Sequence, residues 1–564
     1  MSLRISIIGG VAGGAGAAAA ARRSNESAVI DLFEAGSYIS YANCGLPYYL
    51  SGEIKTRDQL LVTSPGKMRD RFHINVHTQH EVVAINRSQK LIRVRDLAAG
   101  REFDHPFDRL VIATGAKGFR LPTEGLDHPR VSECRTVDDI DLLAGAADGH
   151  PRGRALVIGG GFIGVEVAEA LTNRGMTVTL IDLAPQLLPP LDPEIAGAAQ
   201  QRMEQHGVVM RLGKKVDRMS HGETESIAHL SDGEEIRFDL AVVSVGVIPE
   251  TSLAKSAGLK LGETGGLVVD EHQRTDDPDI FAAGDVTELL YWPTQRRMKL
   301  ALAGPANKQA RVAGANAASA EPRLATSGAA GTAIVRVFDL AVAMTGLSEK
   351  AASAMKMPVQ VTYTQNGHHA GYFPGAKPLL IKLIYSSDDG RVLGGQAFGE
   401  AGADKRIDVL ATAIQARFTV DQLADLDLAY APPFGAAKDP VVIAGMVASN
   451  AFHGRTHLIT PAELESWLRA DAKPVVIDVR SREEHAQANI AGSLSFPIDE
   501  LRDSIGRIPR DQPIVVHCAV GYRGYLAERI LRQHGFEQVR NLTGGFTAWQ
   551  LGQRATQVGA DRAP

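Results

Sequence analysis

Ala155-Leu156-Val157-Ile158-Gly159-Gly160-Gly161-Phe162-Ile163-Gly164-Val165-Glu166 runs from an apolar strand through a complete Gly-x-Gly-x-x-Gly turn into a helix, read as 164–174. Each glycine has a job in such a turn. Gly159 makes the tight bend, Gly161 lets backbone approach a pyrophosphate, and Gly164 lets helix and strand pack closely. The N–H groups at the helix start then face the anion. The next strand, Thr177-Val178-Thr179-Leu180-Ile181-Asp182, ends in an acid 18 residues beyond Gly164. A carboxylate there accepts a hydrogen bond from an adenosine 2′-hydroxyl and repels a 2′-phosphate. The expectation is an α/β fold with a dinucleotide site that prefers NADH, with NADPH as the alternative.

A second, less complete version opens the chain. Residues 3–8 alternate and end at Gly9-Gly10-Val11-Ala12-Gly13-Gly14, before an alanine-rich helix read as 15–23. Val11 stands at the middle glycine position, so Gly9 and Gly14 carry the match. The following strand, Ala28-Val29-Ile30-Asp31-Leu32-Phe33-Glu34, ends in an acid 20 residues after Gly14, placed for a ribose hydroxyl. Leu110-Val111-Ile112-Ala113-Thr114-Gly115 reads as a buried strand closed by a tight turn, and Ile280-Phe281-Ala282-Ala283-Gly284-Asp285 as a strand stopping at an acid.

The chain has 564 residues, enough for three or four domains, and its 57 glycines suit several nucleotide turns. A net charge of −5 gives no argument for nucleic acid or an anionic membrane. No apolar run reaches the ~18 residues of a membrane span. Three scattered cysteines, Cys44, Cys134 and Cys518, exclude a disulfide framework and suit a reducing compartment. These features, with a first strand starting near Met1, lead to the expectation of a cytoplasmic protein. No metal-ligand set is read.

Cys44 lies in Ser40-Tyr41-Ala42-Asn43-Cys44-Gly45-Leu46-Pro47-Tyr48-Tyr49, ahead of a helix start with Pro47 in its first turn. Unpaired N–H groups and a helix dipole there favour a thiolate. No second cysteine lies nearby. A redox partner must therefore be a substrate sulfur, oxygen, or a bound electron carrier.

Glu34, the 110–115 stretch and the 275–285 stretch, in this order, resemble the flavoprotein pyridine nucleotide–disulfide reductase family over about 1–445. The resemblance implies FAD held at Gly9, Gly14, Glu34, Val82, Ala113, Thr114, Gly115, Ala303 and Asp285, the last on the ribitol. It implies NAD held at Gly159, Gly161, Gly164, Glu166, Asp182 and Gly246. Ser40-x-x-Asn43-Cys44-x-Leu46-Pro47-Tyr48 resembles the single-cysteine branch: coenzyme A-disulfide reductase, NADH oxidase and NADH peroxidase. The oxygen-reducing members carry a histidine in the first glycine turn, where this chain has Gly10-Val11-Ala12. The CoA-linked members imply CoA contacts at Arg23, Ser40, Asn43, Arg71 and Lys438. They also imply two tyrosines, Tyr372 and Tyr430, acting from the partner subunit of a homodimer. Phe72 stands where that branch has a CoA-contacting lysine.

After 448–456 the pattern changes. Val475-Val476-Ile477-Asp478-Val479-Arg480, then Ile514-Val515-Val516-His517-Cys518-Ala519-Val520-Gly521-Tyr522-Arg523, resemble a rhodanese domain. The resemblance implies a six-residue loop, Cys518 to Arg523, whose N–H groups hold a Cys518 thiolate or persulfide. Cys134 reads as structural.

The expected organisation is two nested Rossmann-like domains, an α+β dimerisation domain and an α/β rhodanese domain. Their boundaries are 1–118 with 247–326 for FAD, 119–246 for NAD, 327–447 for dimerisation and 457–555 for rhodanese. The expected function is NADH-dependent, FAD-containing reduction of CoA persulfide, polysulfide or a related persulfide at Cys44, with sulfur transfer at Cys518. The alternatives are CoA-disulfide reductase and NADH oxidase.

Overall fold

The computed structural model describes residues 2–560, with side chains through Arg554. It divides into two compact units, 1–183 with 207–331, and 184–206 with 332–564.

The first unit holds two five-stranded parallel sheets. One runs Ile280–Ala282, Arg109–Ile112, Arg4–Ile8, Val29–Glu34, Asn75–Thr78; the other Val209–Leu212, Thr177–Asp182, Arg154–Ile158, Leu240–Val243, Val131–Ser132. In each, the strand before the glycine turn is central, with neighbours reached in opposite directions along the chain. That reversal opens a crevice at the carboxyl ends of the strands. Central strands reading Ile-Ser-Ile-Ile and Ala-Leu-Val-Ile are buried throughout, as a sheet covered on both faces demands. Each sheet carries a three-stranded antiparallel meander, at 80–106 and 216–238. An antiparallel pair, Ala116–Gly118 with Val247–Pro249, carries the chain out of the first sheet and back.

The alanine-rich helix spans Ala12–Ser24, three residues earlier than expected, and packs on Ala303–Ala317. A Cβ on Gly314 would lie 2.0 Å from the Ala17 carbonyl oxygen, so small residues are what allow this close crossing. The second glycine-turn helix spans Phe162–Asn173.

The second unit begins with the helix Pro193–Gln205, which belongs with 332–564 although its sequence position suggested the NAD-binding domain. It packs on a five-stranded antiparallel sheet, ordered Ala333–Val337, Leu340–Gly346, Val392–Gly399, Pro378–Ser386, Val359–Gly367. The join is ionic. Lys382, fully buried, places Nζ 2.8 Å from Asp192, 2.5 Å from Glu194 and 2.6 Å from Glu349. The Tyr363 hydroxyl donates to Glu194 at 2.8 Å.

A C-terminal parallel sheet comes next, ordered Leu458–Ile459, Val539–Leu542, Ile514–His517, Val475–Asp478, Leu494–Ser495. The stretch 447–456, at the boundary between the expected dimerisation and rhodanese domains, is helical to Phe452 as the end of Pro440–Phe452. Past that helix the chain is anchored: buried Glu528 accepts from Thr456 Oγ1 and, at 2.6 Å, from the His457 N–H. The antiparallel sheet grips this domain through Tyr363, whose N–H donates to Thr543 Oγ1 at 2.8 Å.

Candidate active sites

In the first glycine turn Gly9 takes φ +95, and a Cβ there would lie 2.2 Å from the Ala113 carbonyl oxygen. A Cβ on Gly14 would lie 1.7 Å from Gly9 O. Glu34 reaches back, Oε2 accepting the Gly10 N–H at 2.6 Å and Oε1 the Gly36 N–H at 2.7 Å. A carboxylate has about four acceptor positions, so both oxygens keep capacity for a hydroxyl. The second turn repeats this: Gly159 has φ +111, a Cβ on Gly164 would lie 1.8 Å from Gly159 O, and Asp182 accepts the Gly160 N–H at 2.5 Å. A Cβ on Gly161 would meet only open space. Its absence therefore serves something outside the polypeptide.

Ala113, Gly13, Gly284 and Ala306 converge. A Cβ on Gly13 would lie 3.3 Å from Ala113 Cβ, and one on Gly284 3.8 Å from Ala306 Cβ. Thus the two glycine-rich turns of the first sheet meet the first turn of the helix that starts at Ala303. Thr114 donates to the Glu250 carbonyl at 2.7 Å, fixing the turn at Gly115. Gly246 keeps φ +97 before its strand, and Val82 lies at a bulge in the first meander. Asp285 accepts no hydrogen bond from a described residue, and burial raises its pKa while Arg135 lowers it. A half-buried carboxylate of this kind suits a hydroxyl donor, so these residues fit a flavin dinucleotide with a polyol chain.

Cys44 lies in the single turn Asn43–Gly45, followed by the helix Leu46–Leu50. The thiol is accessible to solvent yet crowded by protein. That burial raises its pKa, and Glu166 and Asp285 add to the rise. The expected acidification by a helix start is not found: burial and two carboxylates oppose it, and five residues supply little dipole to set against them. The same two carboxylates locate the thiol: Glu166 belongs to the helix of the second glycine turn, Asp285 to the first sheet. Tyr48 donates to Glu166 at 3.1 Å.

Ser40 holds φ +46, its N–H donating to Gly10 O at 2.8 Å, which ties the cysteine loop to the first turn. Asn43 Nδ2 donates to the Arg135 carbonyl at 3.2 Å. Arg135 is a residue that sequence reasoning missed; 92 positions separate it from Asn43. Cys134 beside it is buried, and its thiol is pushed up to about 12, which suits a structural role. Arg22 donates to the carbonyls of Phe72, His73, Asn25 and Glu26, so it braces the fold, whereas Arg23 is exposed. Phe72 packs against the core below these strands, so its position is an inward one; Arg71 is exposed beside it.

In the second unit, Tyr372 and Tyr430 meet, hydroxyl to hydroxyl, at 2.6 Å although 58 residues apart. They are 76% and 47% exposed, unusual for a bonded tyrosine pair. Lys438 is exposed, while Asp439 caps the helix Pro440–Phe452 and pairs with buried Arg406 at 2.7 Å.

Cys518 follows the strand Ile514–His517 and is 1% exposed. The Gly521 N–H donates to its Sγ at 3.2 Å, and Gly521 takes φ +106 before the helix Tyr522–Gln533. Arg523 donates twice to Glu484, both at 2.8 Å, and also bears on Cys518. Glu484, pulled down to about 2 chiefly by Arg523, was not singled out from sequence. Its only signal was a capping box with Ser481. Asn489 donates to the His485 carbonyl, closing its helix away from the sulfur.

Comparison with known proteins agrees with this geometry. Residues 3–310 match the family profile described as pyridine nucleotide-disulphide oxidoreductase, 332–440 its dimerisation domain, and 460–551 the rhodanese-like domain. A coenzyme A disulfide reductase of Staphylococcus haemolyticus is 30% identical over 447 residues, 79% of this chain and 99% of that protein. The crystal structure of reduced Bacillus anthracis CoADR-RHD superposes with TM-score 0.94 at 40% identity, covering 100% of this chain and 99% of the other. An NAD-dependent persulfide reductase from A. fulgidus gives TM-score 0.90 at 37% identity, covering 97% and 100%.

Proposed function

The chain belongs to the pyridine nucleotide-disulphide oxidoreductase family, with a rhodanese-like domain at its C-terminal end, and from that premise we propose that it is an NADH-dependent persulfide reductase. Its substrate would be CoA persulfide or a related sulfane sulfur compound. The observation that carries the reading is a lone accessible thiol under the joint influence of Glu166 from one nucleotide half and Asp285 from the other. The persulfide reductase and coenzyme A disulfide reductase relatives support it.

FAD, when bound, would supply an electron pair drawn from NADH to reopen a disulfide at Cys44. Gly9, Gly14, Glu34, Ala113–Gly115, Ala303 and Asp285 would hold it. Gly159, Gly161, Gly164, Glu166 and Gly246 would hold NADH, with Asp182 on the adenosine ribose. Cys44, as thiolate, attacks the inner sulfur of R–S–S–H. A Cys44–S–S–R bond forms, the donor S–S bond breaks, and sulfide leaves. Reopening that bond returns the thiolate and releases RSH.

Two hydroxyls at 2.6 Å share one hydrogen bond and leave the second proton for delivery, so Tyr372 and Tyr430 suit protonation of a departing sulfur. Their exposure supports their acting on the partner subunit's Cys44 in a homodimer. Arg23, Ser40, Asn43, Arg71 and Lys438 would steer the CoA phosphates. The rhodanese Cys518 would load sulfane sulfur onto the carrier thiol.

The test is anaerobic sulfide release from CoA persulfide with NADH in wild type, Cys44→Ser and Cys518→Ser. Cys44→Ser should abolish it and Cys518→Ser should retain it. Loss in Cys518→Ser alone would overturn the assignment. Faster turnover on CoA disulfide than on CoA persulfide would shift the reading to a disulfide reductase.

A further inference from the structure

Cys44 and Tyr48 share one face of a short helical run. The turn Asn43–Gly45 passes into the helix Leu46–Leu50 without a break, Gly45 and Leu46 both keeping right-handed helical backbone. Side chains four positions apart on such a run lie one above the other. The Tyr48 hydroxyl donates at 3.1 Å to Glu166 Oε1, on the helix Phe162–Asn173 of the second glycine turn. Both side chains are half-buried. Holding Tyr48 above Cys44 therefore also holds the Glu166 carboxylate there, and that charge is one of two that oppose ionisation of the thiol. The other is Asp285, which faces Arg135. On the elements packed against this helix, Asp139 accepts the Thr136 N–H at 2.9 Å as a cap, and Arg57 pairs with Asp141 at 3.1 Å. Tyr41 stays neutral, burial pushing it up to about 12.

Resting on the reading of Cys44 as the redox-active thiol, we infer that Tyr48 is a positioning residue for it. The hydroxyl pins the Glu166 carboxylate on the Cys44 face and so shields the resting sulfur from electrophiles such as hydrogen peroxide. A half-buried charge that loses its donor lowers its energy by turning toward water. Cys44 would then ionise more readily, and the thiolate is the form that reacts. In the step that the shield slows, a Cys44 thiolate attacks one oxygen of hydrogen peroxide. An S–O bond forms and the O–O bond breaks. The sulfur loses two electrons and the peroxide gains them, leaving a sulfenic acid and hydroxide.

The experiment uses the full-length holoenzyme with oxidised flavin and reduced cysteines. Alkylation of Cys44 by iodoacetamide and its oxidation by hydrogen peroxide are read on the Cys44 peptide by mass spectrometry, at pH 7.5 and across a pH series. Tyr48→Phe removes only the hydroxyl. It should speed both reactions at pH 7.5 by about threefold to tenfold and move the midpoint of the pH–rate profile to lower pH. Glu166→Asp keeps the charge but is one methylene too short to meet Tyr48, so it should act likewise, and it carries the test where Tyr48→Phe fails to fold. In the Glu166→Gln background Tyr48→Phe should change neither rate, because no charge is left to place. A tyrosine that merely braces the fold would lower Tm and leave the midpoint where it is. An unmoved midpoint in folded Tyr48→Phe or Glu166→Asp protein, or an undiminished effect of Tyr48→Phe in the Glu166→Gln background, overturns the inference. Full sulfide release by enzyme alkylated at Cys44 overturns the reading of Cys44 instead, and the alkylation rates still decide the role of Tyr48.

Discussion

Cys44 is held back by the chain that surrounds it. Burial, Glu166 and Asp285 all favour the protonated thiol. Glu166→Gln removes one of those charges while keeping an acceptor for Tyr48. It should speed iodoacetamide alkylation of Cys44 at pH 7.5 by about threefold to tenfold, and an unchanged rate would discount the carboxylate. Tyr372→Phe leaves Tyr430 without its 2.6 Å partner. If the pair protonates the departing sulfur, Tyr372→Phe should lower kcat at high pH more than at low pH. The pH–rate profile of the variant checks this. At this scale the sequence was informative for residue types and poor for neighbours. The tyrosines were legible through resemblance. Glu484 and Arg135 were not, because a bidentate pair 39 residues apart and a carbonyl 92 residues away leave no periodic trace. The predicted helix-start acidity failed for local reasons: burial, Glu166 and Asp285 raise the Cys44 thiol, and the helix after it has only five residues.

Glycine turns separate two kinds of necessity. A Cβ on Gly164 would collide with the Gly159 carbonyl at 1.8 Å, whereas one on Gly161, at φ −74, would meet nothing. Gly164→Ala should therefore destabilise the fold, seen as a lower Tm. Gly161→Ala should melt like wild type yet raise KM for NADH, since the methyl enters the space left for pyrophosphate. Equal behaviour of the two variants would refute this. These turns were the most legible elements, since spacing, strand and terminal acid all agree. Helix starts were misjudged by two or three residues because the turn glycines themselves adopt helical geometry, as Gly13 and Gly14 do.

Across the second unit, Lys382 is the sole described cation bonded to Asp192, Glu194 and Glu349 within the buried cluster. Lys382→Met leaves three carboxylates facing one another and should cost about 3–5 kcal/mol in unfolding free energy. Its role was invisible in sequence, because Asp192 and Lys382 lie 190 residues apart and no local pattern links 184–206 to the sheet that holds Lys382. The C-terminal domain should also lose stability in acid. His517, at about 4 when folded, is neutral in the fold, so the unfolded chain binds its proton first. Stability from it is complete above about 6.5 and falls as pH drops toward 4. Glu484, at about 2, adds a contribution present above its ordinary 4.5 and lost as pH falls toward 2. Urea titrations between pH 7 and 3 should show the midpoint falling first in the upper window, and a flat midpoint from pH 7 to 5 would contradict it.

Tyr363 and Thr543 rivet the sulfur-handling domain to the sheet that begins just after Thr332. The domain is thus no tethered arm that carries its cargo by swinging. Whatever travels must be the thiol that receives the sulfur, and its reach becomes a ruler. A carrier cut shorter than the native one should still be loaded at Cys518, yet fail to deliver.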